Sequence, residues 1–115
     1  MSKVSYSEII EDGPTFARDN EKSAIDHSIS LLEAAQEKGA NSREAIEAIW
    51  FTRRLWSVLM QDLADPNNEL SEELRANIIS IGIWIMREAE QIRLKKSENF
   101  KGLIDISRTL SGGLG

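Results

Sequence analysis

The chain of 115 residues is long enough for one domain with its own core, since 41% of its residues are hydrophobic and 29% are charged. It has no cysteine, which excludes disulfides, zinc–thiolate sites and thiol catalysis, and its net charge of −5 disfavours direct binding to nucleic acid. Glycine and proline are sparse and the apolar residues recur at spacings of three and four, which predicts an all-α fold.

The first residues carry no signal-peptide pattern, because the apolar region that such a peptide needs is missing. Ser5 and Glu8 have the spacing of a capping box, so the sequence allows a short helix over 5–11. A helix of this length must dock on the body of the protein, and residues 1–13 otherwise form a flexible segment. We expect a cytoplasmic protein with a single domain over residues 1–115.

Apolar residues at helical spacing predict a first helix over residues 20–38, with a stripe at Ile25, Ile29 and Leu32. Gly39 suits the left-handed position that ends such a helix. Pro14 is compatible with an earlier start, because proline fits the first turn of a helix, and Phe16 would then join the apolar side.

A second helix is predicted over 42–64, with Asn41 or Ser42 as its N-cap. Its apolar arc is unusually wide and contains Ile46, Ile49, Trp50, Leu55, Trp56, Leu59, Met60 and Leu63. Such a helix is too apolar for the surface of a bundle. We infer that it is central to the fold or that part of it meets a partner.

The Asp65-Pro66 pair predicts the end of the second helix, and a third helix is predicted over 71–97 with Ser71 as its N-cap. Its apolar residues form two stripes, one of Leu74, Ile78, Ile81, Ile85 and Ile92, and the other of Ile79, Ile83 and Met86. Gly82 costs a helix interior about 1 kcal/mol relative to alanine, so we expect it to serve a close helix crossing.

A short fourth helix is predicted over 103–111, followed by a flexible tail over 111–115. The predicted fold class is therefore all-α, a small helical bundle of three main helices plus a short C-terminal helix. The longest apolar run, 78–86, is about half the length of a membrane span, so no membrane partner is expected.

Few residues of the sequence are candidates for catalysis or for binding a metal or cofactor. His27 is the one histidine, and a lone histidine is more typical of a surface or packing position than of a metal ligand. The acidic residues are scattered, and the sequence has no phosphate-binding loop, nucleophile elbow or zinc-protease motif. We expect no enzyme activity, no metal and no cofactor.

Two arginines in the second helix allow two interpretations. Arg53 either lies along apolar neighbours and pairs with Asp62, Asp65 or Asp105 while Arg54 is solvated, or it forms a buried bidentate ion pair that orders the helices. The chain has three tryptophans, Trp50, Trp56 and Trp84. They are more typical of a core than of a binding surface, although tryptophan is enriched at interface hot spots.

Five apolar residues remain once each helix has one core face: Phe51, Val58, Ile79, Ile83 and Met86. In a four-helix domain all five could be core. Exposed together, they would form a groove that receives an amphipathic helix, or a homodimer interface.

The central stretch resembles the FlaF family of flagellar biosynthesis regulators. The resemblance is carried by Arg53-Arg54-Leu55-Trp56, Asp65-Pro66, Leu74-Arg75-Ala76, Ile78 to Trp84, and Leu103 through Arg108 to Leu114. It covers roughly residues 24–114. The chain departs from the family pattern at Thr52 and Ser107, where an asparagine often stands.

The resemblance implies a small cytoplasmic, non-enzymatic protein needed for flagellin production and filament assembly, acting opposite a partner regulator, FlbT. It also implies an export chaperone for flagellin, whose amphipathic terminal helix would occupy the groove made by the five leftover residues. The alternatives are a post-transcriptional regulator that acts through FlbT or through flagellin mRNA, using the basic stretch 87–101, and a homodimeric helical interaction module.

Overall fold

The computed structural model describes the backbone of residues 14–114, and the expectations for 1–13 and for the side chain of Phe16 lie outside the described residues. Within this range the chain forms four α-helices and no strand: α1 (Pro14–Lys38), α2 (Arg43–Ala64), α3 (Glu72–Arg93) and α4 (Phe100–Leu114). The all-α prediction is confirmed, and α1 begins at Pro14, the earlier of its two predicted starts.

The helices pack side by side in the order α4, α1, α2, α3. Helix α1 contacts both α2 and α4, and α2 contacts α3, whereas α3 and α4 make few contacts with each other. Fully buried apolar side chains come from every helix: Ile25, Leu32, Trp56, Ile85 and Leu103. The bundle is therefore tightly packed along three of its helix pairs and open along the fourth.

Local capping explains most of the helix ends. Gly39 has a left-handed backbone (φ 100°) and ends α1 as predicted, because glycine has no Cβ to clash in this conformation. Ser42, and not Asn41, is the N-cap of α2, and its hydroxyl accepts a hydrogen bond from the backbone of Ala45. Ser71 caps α3 in the same way.

Helix α3 ends at Arg93, four residues before the predicted end, because the chain turns there in a Schellman motif. The backbone N–H of Lys96 donates to the carbonyl of Gln91 at 2.8 Å, and that of Lys95 donates to the carbonyl of Ile92 at 3.0 Å. Lys95 holds the left-handed position (φ 65°) that glycine usually takes. The sequence therefore shows no conventional stop signal at this point.

Helix α4 is longer at both ends than the predicted 103–111. Asn99 caps its start, since the side-chain oxygen accepts a hydrogen bond from the backbone of Gly102 at 3.0 Å. At the other end Ser111 is buried, and its hydroxyl donates to a carboxylate oxygen of Asp26 in α1 at 2.5 Å. This link holds the last turns in a helix where the sequence predicted a flexible tail.

Gly82 allows α3 to approach α2 closely, as predicted. A Cβ placed on Gly82 would lie 2.6 Å from the sulfur of Met60 and 2.8 Å from a ring carbon of Trp56. The methionine sulfur lies near the end of a flexible side chain, but the tryptophan ring is fully buried. The interhelical distance at this crossing therefore depends on a residue without a side chain.

We expect Gly82→Ala to lower the free energy of unfolding by roughly 1 kcal/mol, because overpacking against Trp56 costs about 1–3 kcal/mol and outweighs the gain in helix propensity. Denaturant unfolding followed by circular dichroism would measure the change. Gly112→Ala is the matched control, since Gly112 is also helical and an added Cβ there meets nothing within 4 Å. A Gly82→Ala protein as stable as the parent would show that the crossing can relax.

The Ser111 link makes stability depend on pH. Hydrogen bonds from Ser111 and then from Lys22 hold the pKa of Asp26 below its usual value. The resulting stabilisation is present above the unfolded-state pKa of aspartate and is lost as pH falls through the lower folded-state pKa. The difference in unfolding free energy between the parent and Ser111→Ala should thus shrink between about pH 6 and about pH 3.

Thr109→Ala is the control for this experiment, because the Thr109 hydroxyl donates to a backbone carbonyl and not to a titrating group. Its effect on stability should be the same at both pH values. A Ser111→Ala effect that is equally independent of pH would argue against the Asp26 link.

Candidate functional site

The five leftover apolar residues do not line one groove. Phe51 is half-buried on the side of α2 that faces α1, where its ring meets that of His27 edge-on with centroids 4.8 Å apart. Val58 follows two turns later on the same side of α2. The other three lie along one side of α3: Ile79, Ile83 and Met86.

The side of α3 that carries these three residues borders α2 on a face of α2 other than the one that carries Phe51 and Val58. One turn after Met86 it carries Glu90, which pairs with Arg53 of α2. Arg53 and Phe51 lie on different sides of α2, about 160° apart in helical register. The predicted residues therefore form two separate surfaces, one next to α1 and the other on the side of α3 with Ile79, Ile83 and Met86, which borders α2 and which we call the outer side of α3.

Arg53 does not form the buried bidentate pair that was one of its two interpretations. Its Nη2 lies 3.5 Å from an oxygen of Glu90, and the side chain is 42% exposed. The partner is also not one of the three aspartates proposed from the sequence. Arg93 makes the closer contacts with Glu90, at 2.9 and 2.6 Å, and these hydrogen bonds are the main reason that the pKa of Glu90 is lowered.

The residues of the family-like motif hold helices together. Leu55 and Trp56 are buried in the core. The guanidinium of Arg75, in the first turn of α3, donates to the backbone carbonyl of Asp65 at 3.0 Å. This hydrogen bond ties the start of α3 to the end of α2. Arg108 forms an ion pair with Glu33 and so joins α4 to α1.

Other motif positions have local roles. A side-chain oxygen of Asp65 accepts a hydrogen bond from the backbone of Asn67 at 2.9 Å, and Pro66 is exposed in the same turn. The two departures from the family pattern, Thr52 and Ser107, are both buried.

The three tryptophans lie in different environments. Trp56 is in the core as predicted, whereas Trp84 is 39% exposed, contrary to its predicted place in the core. Trp50 is 61% exposed, so its predicted place in the core is wrong. The apolar arc of α2 is wider than the surface that α1 and α3 cover, and Trp50 lies on the uncovered part.

An open cleft of about 570 Å³ lies between α3 and α4, where these helices make few contacts. We call it the α3–α4 cleft. Its lining includes three large apolar side chains and a polar rim: Ile81, Trp84 and Ile106, with Ser80, Asp105 and Thr109. Apolar walls with a polar rim suit one face of an amphipathic helix.

Sequence reasoning missed this cleft because it assigned Ile81 to an apolar stripe of the third helix. The available signal was the Ile83-Trp84 pair. Together with the buried face of α3, these neighbours make the helix apolar on three sides, which is more than one packing partner can cover.

The basic stretch 87–101 does not present a continuous basic face. Arg93 is bonded to Glu90, and Lys101 pairs with Asp105 at 2.7 Å. The ammonium of Lys95 donates to a backbone carbonyl in the turn between α1 and α2 at 3.0 Å. Much of the positive charge of this stretch thus already contacts acceptors within the protein.

Among residues 14–114, no helix combines the length and the apolar character needed to cross a membrane. In the same part of the chain, histidine, aspartate and glutamate side chains form no group of three that could hold a metal ion.

A family model described as flagellar protein FlaF matches residues 2–114, which is nearly the whole chain. No curated protein and no solved structure gives a significant match to the chain.

The placement of the predicted contact residues leads to a stability prediction. Met86→Asp should lower the free energy of unfolding by about 2 kcal/mol or more, because Met86 packs partly buried against the core and a carboxylate there loses hydration. Ile83→Asp should change it by about 0.5 kcal/mol or less, since Ile83 is 46% exposed. Thermal unfolding of both variants tests this, and equal losses would contradict the assigned burial.

Proposed function

Because the chain belongs to the flagellar protein FlaF family, we propose that it is a non-enzymatic, cytoplasmic chaperone that binds flagellin before export and so supports flagellin synthesis and secretion. The single observation that carries the flagellin-binding part of this proposal is the α3–α4 cleft. It is an apolar surface left open by the packing of the bundle itself.

The chemistry of the cleft fits an amphipathic helix. Trp84 on α3 and Ile106 on α4 offer apolar contacts from the two walls, and a helix laid between them would complete the fourth side of the bundle. Asp105 and Thr109 at the rim offer acceptors to the polar edge of such a helix. Flagellin supplies this kind of segment in its terminal helices, which is why the family and the cleft support the same partner.

A protein partner is better supported than RNA. The chain carries a net charge of −5, and much of the positive charge in the basic stretch 87–101 already contacts acceptors within the protein. The regulator FlbT is the alternative protein partner. A homodimer formed through the outer side of α3, by Ile79 and Ile83, is the remaining alternative.

Calorimetry with purified monomeric flagellin would test the proposal. We expect saturable binding with a micromolar or lower Kd for full-length flagellin, and loss of that binding when one terminal helix is deleted. FlbT and a flagellin mRNA leader are the parallel titrants. Binding to FlbT or to the leader, with none to flagellin, would overturn the chaperone proposal in favour of a regulator.

Neighbouring residues on α3 offer a matched pair of variants for locating the site. Trp84→Ser should weaken flagellin binding about thirtyfold, the effect of losing an aromatic hot spot worth about 2 kcal/mol. Ile83→Ser is the control, because Ile83 is similarly exposed but is not part of the cleft lining. Thr109→Lys should also weaken binding, by placing a charged chain at the rim from an exposed position.

The opposite result is equally informative. If Ile83→Ser abolishes binding and Trp84→Ser does not, flagellin occupies the outer side of α3 that the sequence pointed to. Circular dichroism of each variant would show that the fold is retained.

A further inference from the structure

A second apolar surface lies on the other side of α3, near the start of α2. Ile46 is 67% exposed, and Trp50 stands one turn further along the same face. Beside them is a small cavity of about 180 Å³ between α2 and the end of α3, with Ile49 and Ile92 among its lining residues. This volume is close to that of one large apolar side chain.

Cations surround this cavity. Arg53, Arg93 and Lys95 line it, and the guanidinium of Arg54 lies over the ring of Trp50, 5.8 Å from the centroid. We call this surface, made of Ile46, Trp50 and these four cations, the Trp50 patch. The carboxylate of Glu90 is already shared between two of the arginines.

The carboxylate of Glu47, one turn before Trp50, is the other acid near the patch on α2. Four cations against these two carboxylates make the region locally basic, although the chain as a whole carries −5. The patch thus combines an apolar centre with positive charge, which the α3–α4 cleft does not.

The cavity wall at the end of α3 is held in place by the left-handed Lys95. A lysine in this conformation costs about 1 kcal/mol relative to the glycine that such turns prefer. Its ammonium donates to the carbonyl of Ala40 at 3.0 Å, which fixes the end of α3 against the turn between α1 and α2. The site is therefore formed before any partner arrives.

We propose that the Trp50 patch binds an acidic segment of a protein partner, one that places a single bulky apolar side chain in the cavity. Carboxylates on either side of that side chain would pair with Arg54 and Lys95, and Arg54 lies free of any ion pair to an acid among the described residues. Exposed tryptophan and arginine are the residue types that most often dominate binding energy at protein interfaces.

Charge separates this partner from the other candidates. In a symmetric dimer the patch would face its own copy, and the cations would then be brought together at an energetic cost. Nucleic acid would satisfy the cations but would leave Ile46 without an apolar partner. The inference does not depend on what occupies the α3–α4 cleft.

The test uses the full chain labelled with ¹⁵N and a probe peptide of glutamate and leucine with one central phenylalanine. The three tryptophans give three indole N–H signals, and Trp50→Phe assigns the one that matters. We expect the peptide to shift the Trp50 signal and not the Trp84 signal. The same peptide with lysine in place of glutamate should bind at least tenfold more weakly.

Variants then separate the apolar and the charged contributions. Trp50→Ala should raise the Kd of the acidic peptide about thirtyfold. Arg54→Gln and Lys95→Gln should each raise it several-fold and should reduce its dependence on salt. Trp84→Ser, which alters only the α3–α4 cleft, should leave the Kd unchanged, so failure of the chaperone proposal would not affect this result.

Several outcomes would overturn the inference. These are equal binding of the acidic and lysine peptides, a shift of the Trp84 signal alone, or tighter binding of a single-stranded RNA oligonucleotide at the patch. A Trp50 signal that moves with protein concentration in the absence of peptide would replace the acidic partner with a second copy of the chain.

Discussion

The approach of α3 to α2 depends on the missing side chain of Gly82, which leaves room for the buried ring of Trp56. Helix α3 is held against α2 at this crossing and makes few contacts with α4. Helix α4 is instead tied to α1 by the Asp26–Ser111 hydrogen bond and the Glu33–Arg108 ion pair. The α3–α4 cleft therefore lies between the two neighbouring helices that are packed least closely in the described part of the chain.

Helix α3 consequently borders two apolar surfaces with different electrostatic character. One side contributes Trp84 to the α3–α4 cleft, whose polar rim includes the acidic Asp105. The opposite side contributes Arg93 to the cavity of the Trp50 patch, which is lined by cations. A single rigid helix separates them, so two partner segments of different chemistry could be held at once.

The sequence predicted the helices and most caps because these depend on neighbours within one turn. Ser42, Ser71 and Gly39 act through such local contacts. The end of α3 was missed because Lys95 takes a backbone conformation that its side chain does not favour. The exposure of Trp50 was missed because periodicity shows that a helix face is apolar but not which neighbouring helix covers it. For the same reason the cleft could not be located before the order of packing was known.

The link between Ser111 and Asp26 joins positions 85 residues apart in the chain. During synthesis α1 emerges before α4, the helix that covers one of its sides. The core beside α1 is therefore incomplete until α4 has been synthesised, so this part of the fold needs a contact of long sequence separation in addition to local helix formation.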